Sequence, residues 1–166
     1  DVVDAMIEEK LGKVPSSFGV LFDGFPRTVL QARFLERIFS ESERELAALI
    51  YVHIPDHETL NRLSDRVICR KCNIPFHKTI NPFQECPSTE CTGEHLVHRP
   101  DDRPELIRER VRNFHRATGP LVQLYQQKGK LILINGEQPI DRVEKDLVDA
   151  VQSIRLDQAK FASEAE

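Results

Sequence analysis

All four cysteines of this chain fall between Cys69 and Cys91, spaced as C-x2-C, thirteen residues, then C-x4-C. Few features constrain a fold more. The surrounding stretch, residues 69–98, carries Pro75, Pro82 and Pro87, shows little hydrophobic periodicity and holds too little apolar material to close a core alone. Four cysteines are also too few for a secreted disulfide framework in a chain this long, whereas two close thiolate pairs are what a tetrahedral zinc requires. Cys69, Cys72, Cys86 and Cys91 are the candidate ligands. The x4 spacing of the second pair is wider than the common x2, so His77 or His95 could replace one sulfur. Four protein ligands leave no open coordination position, which makes the site structural. Residues 69–98 therefore read as a small, nearly helix-free subdomain inserted in a larger fold.

The flanking sequence shows what that larger fold is. Val3, Met6, Ile7 and Leu11 recur at helical spacing until Gly12 and Pro15 stop them, which predicts a helix over 2–11. The apolar run Phe18 to Phe22, closed by Asp23 and Gly24, predicts a strand, and Thr28 opens a helix bearing Val29, Ala32, Phe34, Leu35 and Ile38. Ala48 to Ile54 predicts a second strand. Asp56 can cap the next helix, with Leu60, Leu63 and Val67 as its apolar stripe and Arg62, Arg66 and Arg70 at i, i+4 and i+8 on the opposite face. Beyond the insert, Asp102-Arg103-Pro104-Glu105 offers an N-cap, an early proline and a capping-box glutamate. The face continues through Ile107, Val111, Phe114, Thr118, Leu121 and Tyr125, with a break near Gly119-Pro120. A third strand spans Lys130 to Ile134, a last helix Pro139 to Ile154, and the polar residues 157–166 are expected to fray. Alternating strands and helices predict an α/β fold with a parallel sheet and helices on both faces. The expected division is 1–68 and 99–156 as core, 69–98 as insert, and 157–166 as tail.

Composition excludes several classes. The 166 residues carry 23 Lys plus Arg against 27 Asp plus Glu, a net charge of -4 and a pI near 5.9. That balance argues against a nucleic-acid coat or a polybasic membrane anchor. Apolar runs such as Leu131 to Ile134 are too short to span a bilayer, and the opening residues show no charged-then-apolar leader pattern. A cytoplasmic protein with no nucleic-acid or membrane partner is the expectation.

In an open α/β sheet, ligands bind beyond the carboxyl ends of the strands, where Asp23-Gly24-Phe25-Pro26-Arg27-Thr28 is expected to lie. An Asp directly after a buried strand is placed to hold magnesium, usually through water, between nucleotide phosphates. Gly24 permits close backbone approach, and Arg27 offers a planar fork suited to a phosphate. Asp-Gly by itself is an ordinary turn. The six residues together, DGFPRT, resemble the motif of the adenylate kinases.

Further elements occur in that family's order: Asp65-Arg66 with Arg70, Arg99-Pro100-Asp101-Asp102, Arg108-Glu109-Arg110, Thr118-Gly119-Pro120-Leu121, and Asn135 to Pro139. The resemblance covers residues 1 to about 155. It implies a nucleoside monophosphate kinase of the bacterial type, a P-loop kinase fold whose insert is a zinc-bearing lid, with ATP, AMP and ADP as substrates and magnesium arriving with ATP. It implies AMP contacts from Gly24, Arg27, Gln31, Arg99 and Arg110, and ATP contacts from Arg66, Arg70 and Gln138. Asp23, Arg27, Arg66, Arg70, Arg99 and Arg110 form the implied catalytic set, Asp101 and Asp102 are implied in lid closure, and a monomer is expected. Phosphoryl transfer needs fixed positive charge and no protein base, because the acceptor phosphate is already a nucleophile. His53, His57 and His115 are accordingly expected to be structural or surface residues.

No strand-loop-helix with G-x-x-x-x-G-K occurs in these residues; Gly12-Lys13 follows a helix and lacks the first glycine. The expectation is that the phosphate loop and its strand lie upstream of Asp1, that this strand sits in the sheet between those at Phe18 to Phe22 and Ala48 to Ile54, and that these residues alone are marginally folded and inactive. Two other classes fit parts of the sequence. A noncatalytic nucleotide-binding module is one. A zinc ribbon binding nucleic acid through Lys71, Phe76, His77 and Lys78 is the other, against which pI 5.9 and DGFPRT both weigh.

Overall fold

The computed structural model describes residues 2–42, 44–86 and 91–164, with side-chain surroundings to residue 154. Along the chain the elements are α1 (Val2–Leu11), α2 (Val29–Glu41), β1 (Leu49–His53), α3 (Asp56–Ser64), β2 (Arg66–Cys69), β3 (Pro75–His77) and β4 (Leu96–Val97). A single 3-10 turn (Pro100–Asp102) then leads into α4 (Pro104–Ala117), α5 (Gly119–Gln127), β5 (Leu131–Asn135) and α6 (Ile140–Glu164). Two compact units result. One comprises the chain up to His53 and again from Phe114 onward, and the other is Ile54–Asn113.

The first unit is α/β. β1 and β5 pair in parallel, in register from Leu49 opposite Leu131 to His53 opposite Asn135, and the Gly136 N–H closes the carboxyl end on the His53 carbonyl at 2.7 Å. α5 packs on both strands and α6 on β5. Ala32, Leu121 and Tyr125 are buried against Val29, Leu46, Leu49 and Leu131. A second cluster buries Leu11, Leu35, Ile38 and Phe39, with Ile7, Phe22, Phe25 and Phe34 around it. The α2 stripe anticipated by spacing therefore serves both clusters, and Thr28 caps that helix by accepting the Gln31 N–H at 3.2 Å.

The second unit forms around the cysteines. β2 is the middle strand of a three-stranded antiparallel sheet, with Val67 opposite Phe76 and Cys69 opposite Leu96. Cys69, Phe76, Cys86 and Cys91 are buried, with Val67, Cys72, Ile74, Phe83 and Leu96 packed on them. Phe76 and Phe83 meet edge to face at 5.0 Å. The sulfurs are thus at the centre of this unit's hydrophobic cluster, among the described residues. Pro87 lies outside those residues.

Several expectations are corrected. Phe18 to Phe22 is not a strand: among the described residues β1 pairs with β5 alone, and Phe18 and Leu21 are 64% and 81% exposed. An apolar run becomes a strand only beside a neighbour that takes up its N–H and C=O groups. Asp56 is the first residue of α3, whose cap position is Pro55. α3 ends at Ser64, so Val67, Arg66 and Arg70 do not extend its faces; pairing with β3 and β4 takes the β-branched Val67 and Ile68 into β2 instead. Asp102 does not cap α4 but closes the preceding turn with its carboxylate buried. α6 runs to Glu164, past Ile154, through a stretch without Gly or Pro that suits a helix. Residues 165–166 lie outside the described residues.

Candidate active site

The candidate residues gather in three places, two of them in the second unit. In the first unit the loop from Asp23 to Thr28 and the first turn of α2 make a compact cradle. Gly24 has φ +71, a conformation that calls for glycine, and a Cβ there would lie 2.8 Å from Arg27 Nη2, the movable end of an exposed side chain. Arg27 Nε donates to the Gly24 carbonyl at 2.7 Å, and the Arg27 N–H donates to Gln31 Oε1 at 2.8 Å. Gly24, Arg27 and Gln31 are therefore one hydrogen-bonded unit. Asp23 is exposed. Elsewhere in this unit Gln138 turns inward: its Nε2 donates to the Asn135 carbonyl and to Asp146 Oδ2, at 2.9 and 2.8 Å.

In the second unit three arginines converge on the turn before α4. Arg66 Nε and Nη2 donate to the two oxygens of Asp102 at 2.9 and 2.7 Å, and Asp102 has a side chain only 1% exposed. Arg110 Nη1 lies 3.3 Å from Asp102 and 3.4 Å from Asp101. Arg99 holds Asp101 with two further bonds, at 3.0 and 2.9 Å. Partial desolvation would raise the Asp101 carboxyl, but the Arg99 hydrogen bonds and the charges of Arg99 and Arg110 outweigh it and hold the group below the usual carboxylate range. Three guanidinium groups against two carboxylates leave one net positive charge in a small volume, suited to an anion carrying several oxygens. Arg70 stands apart from this network, exposed in the turn that follows β2.

The third place is the thiol cluster. Cys69 and Cys91 have sulfurs 3.6 Å apart, Cys72 and Cys86 3.1 Å, and all four cysteines are reduced. The Cys69, Cys72 and Cys86 sulfurs lie within 4.8 Å of one another. Sulfurs around a tetrahedral zinc at ~2.3 Å stand roughly 3.8 Å apart, so the two close pairs need open only slightly to admit the ion, while Cys91, outside the group of three, would have to close on it from beside Cys69. The Cys72 backbone N–H beside it holds the Cys69 thiol down to about 6, while burial pushes the Cys86 thiol up. Both candidate histidines have other partners. His77 Nδ1 accepts the N–H groups of Thr79 and Ile80, both at 3.2 Å, and His95 pairs with Glu94 at 3.4 Å.

The comparisons with known proteins decide the family. A family pattern described as adenylate kinase matches residues 1–130. The chain is 33% identical over 152 residues to the adenylate kinase of Acetivibrio thermocellus, an alignment covering 91% of this chain and 70% of that protein. The chain belongs to the adenylate kinase family. Other adenylate kinases agree: that of Symbiobacterium thermophilum is 34% identical, with 93% of this chain and 72% of that protein covered, and that of Desulfitobacterium hafniense is 38% identical, with 92% and 70% covered. Its class is thereby a nucleotide-dependent phosphotransferase, as DGFPRT and the spaced arginines led one to expect. Among the described residues no helix is long and apolar enough to cross a membrane.

Two contacts of this adenylate kinase family chain are invisible to sequence reasoning. The Arg66–Asp102 pair joins positions 36 apart, and only the sheet pairing that turns Arg66 out of a helix reveals it. The Thr118 hydroxyl donates to the Arg27 carbonyl at 3.0 Å across 91 positions. Its sequence signals are a threonine at a helix break and the Thr118-Gly119-Pro120-Leu121 element, neither of which names Arg27 as the partner.

Proposed function

We propose that this chain serves the reversible transfer of a phosphoryl group from ATP to AMP, giving two ADP. The observation that carries the reading is the array of Arg66, Arg99 and Arg110 fixed through Asp101 and Asp102. Transfer of this kind is mostly positioning and electrostatic stabilisation, and guanidinium groups already held in place cost little reorganisation as charge develops. Gly24, Arg27 and Gln31, with Arg99 and Arg110, take the AMP side. Arg66, Arg70 and Gln138 take the ATP side, and Asp101 and Asp102 take part in lid closure. Asp23 faces magnesium brought with ATP, which would neutralise phosphate charge. Cys69, Cys72, Cys86 and Cys91 hold a structural zinc in a lid spanning 69–98, between core segments 1–68 and 99–156. A monomer in the cytoplasm, where thiols stay reduced, fits this chemistry.

These 166 residues contain no G-x-x-x-x-G-K run, so by themselves they are expected to make no ADP. The test is a coupled assay for ADP formation from ATP and AMP, run on the chain alone and on the chain joined to a phosphate-loop segment of the family. Activity only in the joined protein supports the proposal. Inactivity of a folded joined protein would overturn the proposed reaction, and contaminant-free activity of the chain alone would overturn its stated requirement.

A further inference from the structure

Thr118 occupies the break between α4 and α5, just before Gly119 and Pro120. By position it is the N-cap of α5, where a threonine ordinarily turns its oxygen onto an N–H of the new helix. It makes no such bond here. Its backbone lies in the right-handed helical region, φ −98 and ψ −28, and no side-chain cap forms. The hydroxyl instead donates to the Arg27 carbonyl at 3.0 Å. A residue that forgoes its local partner for one 91 positions away contributes something other than helix initiation.

What it adds is the last restraint on one residue. The Arg27 N–H is taken by Gln31 Oε1, its Nε by the Gly24 carbonyl, and its own carbonyl by Thr118. Both backbone polar groups of Arg27 are thus held by side chains, which fixes the direction in which the exposed guanidinium leaves the chain. The junction keeps its own backbone bonds independently. The Thr118 N–H donates to the Phe114 carbonyl at 2.7 Å, and its carbonyl accepts the Val122 N–H at 3.1 Å. Removing the hydroxyl therefore releases Arg27 without dismantling the helix break.

We infer that Thr118 is a positioning residue for the monophosphate side, orienting Arg27 toward the phosphate of AMP. This rests on the proposed role of Arg27 at AMP. The experiment is calorimetric titration of the 166-residue chain with AMP and, separately, with ATP, for the parent, Thr118→Val, Thr118→Ala, Thr118→Ser and Arg27→Ala. Losing one neutral hydrogen bond that fixes the ligand-binding group should weaken AMP by about 3- to 10-fold in the Val and Ala variants. ATP affinity should stay unchanged, and the Ser variant, which keeps the hydroxyl, should match the parent. Equal AMP affinity in parent, Val and Ala variants would overturn the inference while leaving Arg27 in place. Equal weakening of both nucleotides, or failure of Ser to rescue, would reduce Thr118 to a structural residue and overturn it as well. A parent chain that does not bind AMP, or binds it equally well after Arg27→Ala, would remove the reading of Arg27 and the inference with it.

Discussion

The Asp102 carboxylate, almost wholly buried, accepts both of its short hydrogen bonds from Arg66, at 2.9 and 2.7 Å, while Arg110 stands 3.3 Å from the same group. A charge so enclosed is tolerable only with its partners present, and the partners gain a fixed direction from it. Replacing Asp102 with Ala leaves Arg66 without its carboxylate in a half-buried position. The expected loss is about 3 kcal/mol of unfolding free energy, the lower part of the range for breaking a buried pair, because Arg66 retains some access to water. Urea unfolding of parent and variant measures it. A difference within about 0.5 kcal/mol, the scale of an ordinary surface substitution, would mean that the pair is not buried as described.

Gly24 is constrained by its φ of +71, and its Cβ direction is occupied by the movable Arg27 Nη2 at 2.8 Å. Gly24→Ala should cost about 1 to 2 kcal/mol from the left-handed backbone alone. It should also drive the Arg27 guanidinium away from the Gly24 carbonyl, so AMP affinity should fall more than ATP affinity. Thermal melts and nucleotide titrations of one variant read both effects. Unchanged AMP binding would separate the cradle from the site.

The two kinds of site residue were unequally legible in the sequence. DGFPRT is a local motif, and its hydrogen bonds span three or four positions, so Gly24, Arg27 and Gln31 could be grouped by reading along the chain. The cysteines were legible for the same reason, through their spacing. Arg66 was misplaced on a helix face because a period of four suited it; the antiparallel pairing of Val67 with Phe76, nine residues onward, decided otherwise. Asp102 looked like a helix cap because Asp-x-Pro-Glu satisfies that pattern locally, and nothing nearby announces that a distant guanidinium claims the carboxylate. Phe18 to Phe22 reads as a strand by composition, yet strand formation belongs to a pair of segments and not to one.

Glu36 receives hydrogen bonds from Lys128 Nζ at 2.5 Å and from the buried Tyr125 hydroxyl at 3.1 Å. The Lys128 bond, opposed in part by desolvation and aided by Tyr125 and the charge of Lys130, holds its carboxyl below the usual range. A carboxylate lowered in the folded state adds stability that is complete above the unfolded value, near 4.3, and is lost as pH falls through the lower folded value. Glu36→Gln should therefore lower the melting temperature at pH 7 and flatten its decline on the acid side below about pH 4.5. The pair is more than one-third exposed, so the effect should stay under about 1 kcal/mol. Parallel pH profiles of parent and variant would disprove the contribution.

Arg27 and Arg110 should fail differently in the chain joined to a phosphate-loop segment. Arg27 belongs to the proposed AMP cradle, so Arg27→Ala should raise KM for AMP far more than KM for ATP. Arg110 shares the Asp101–Asp102 turn with Arg66 and Arg99, and its value lies in charge stabilisation as the phosphoryl group moves. Arg110→Ala should lower kcat by roughly 100- to 1000-fold, the scale set by removing one preorganised donor, with a smaller change in KM. A binding defect without loss of turnover would place Arg110 outside the transition state.

The cysteine cluster makes a prediction that needs no nucleotide at all. Cys69, Cys86 and Cys91 are buried and Cys72 packs against them, so apart from Phe76 the buried members of the second unit's described hydrophobic cluster are its own candidate metal ligands. Thiolates brought to 3.1 and 3.6 Å repel one another unless a cation lies among them, and protonated sulfurs lose that attraction altogether. Purified protein should therefore contain one zinc per chain by elemental analysis. A strong chelator should abolish protection of the β2–β3–β4 amides from hydrogen exchange, while β1, β5 and α5 keep theirs. Cys86→Ser should reproduce the chelated state in part, since serine is a poor zinc ligand. An ordered, protected β2 in metal-free protein would show that Phe76, Phe83 and Leu96 suffice for the fold of this sheet and that the thiols are packing residues only.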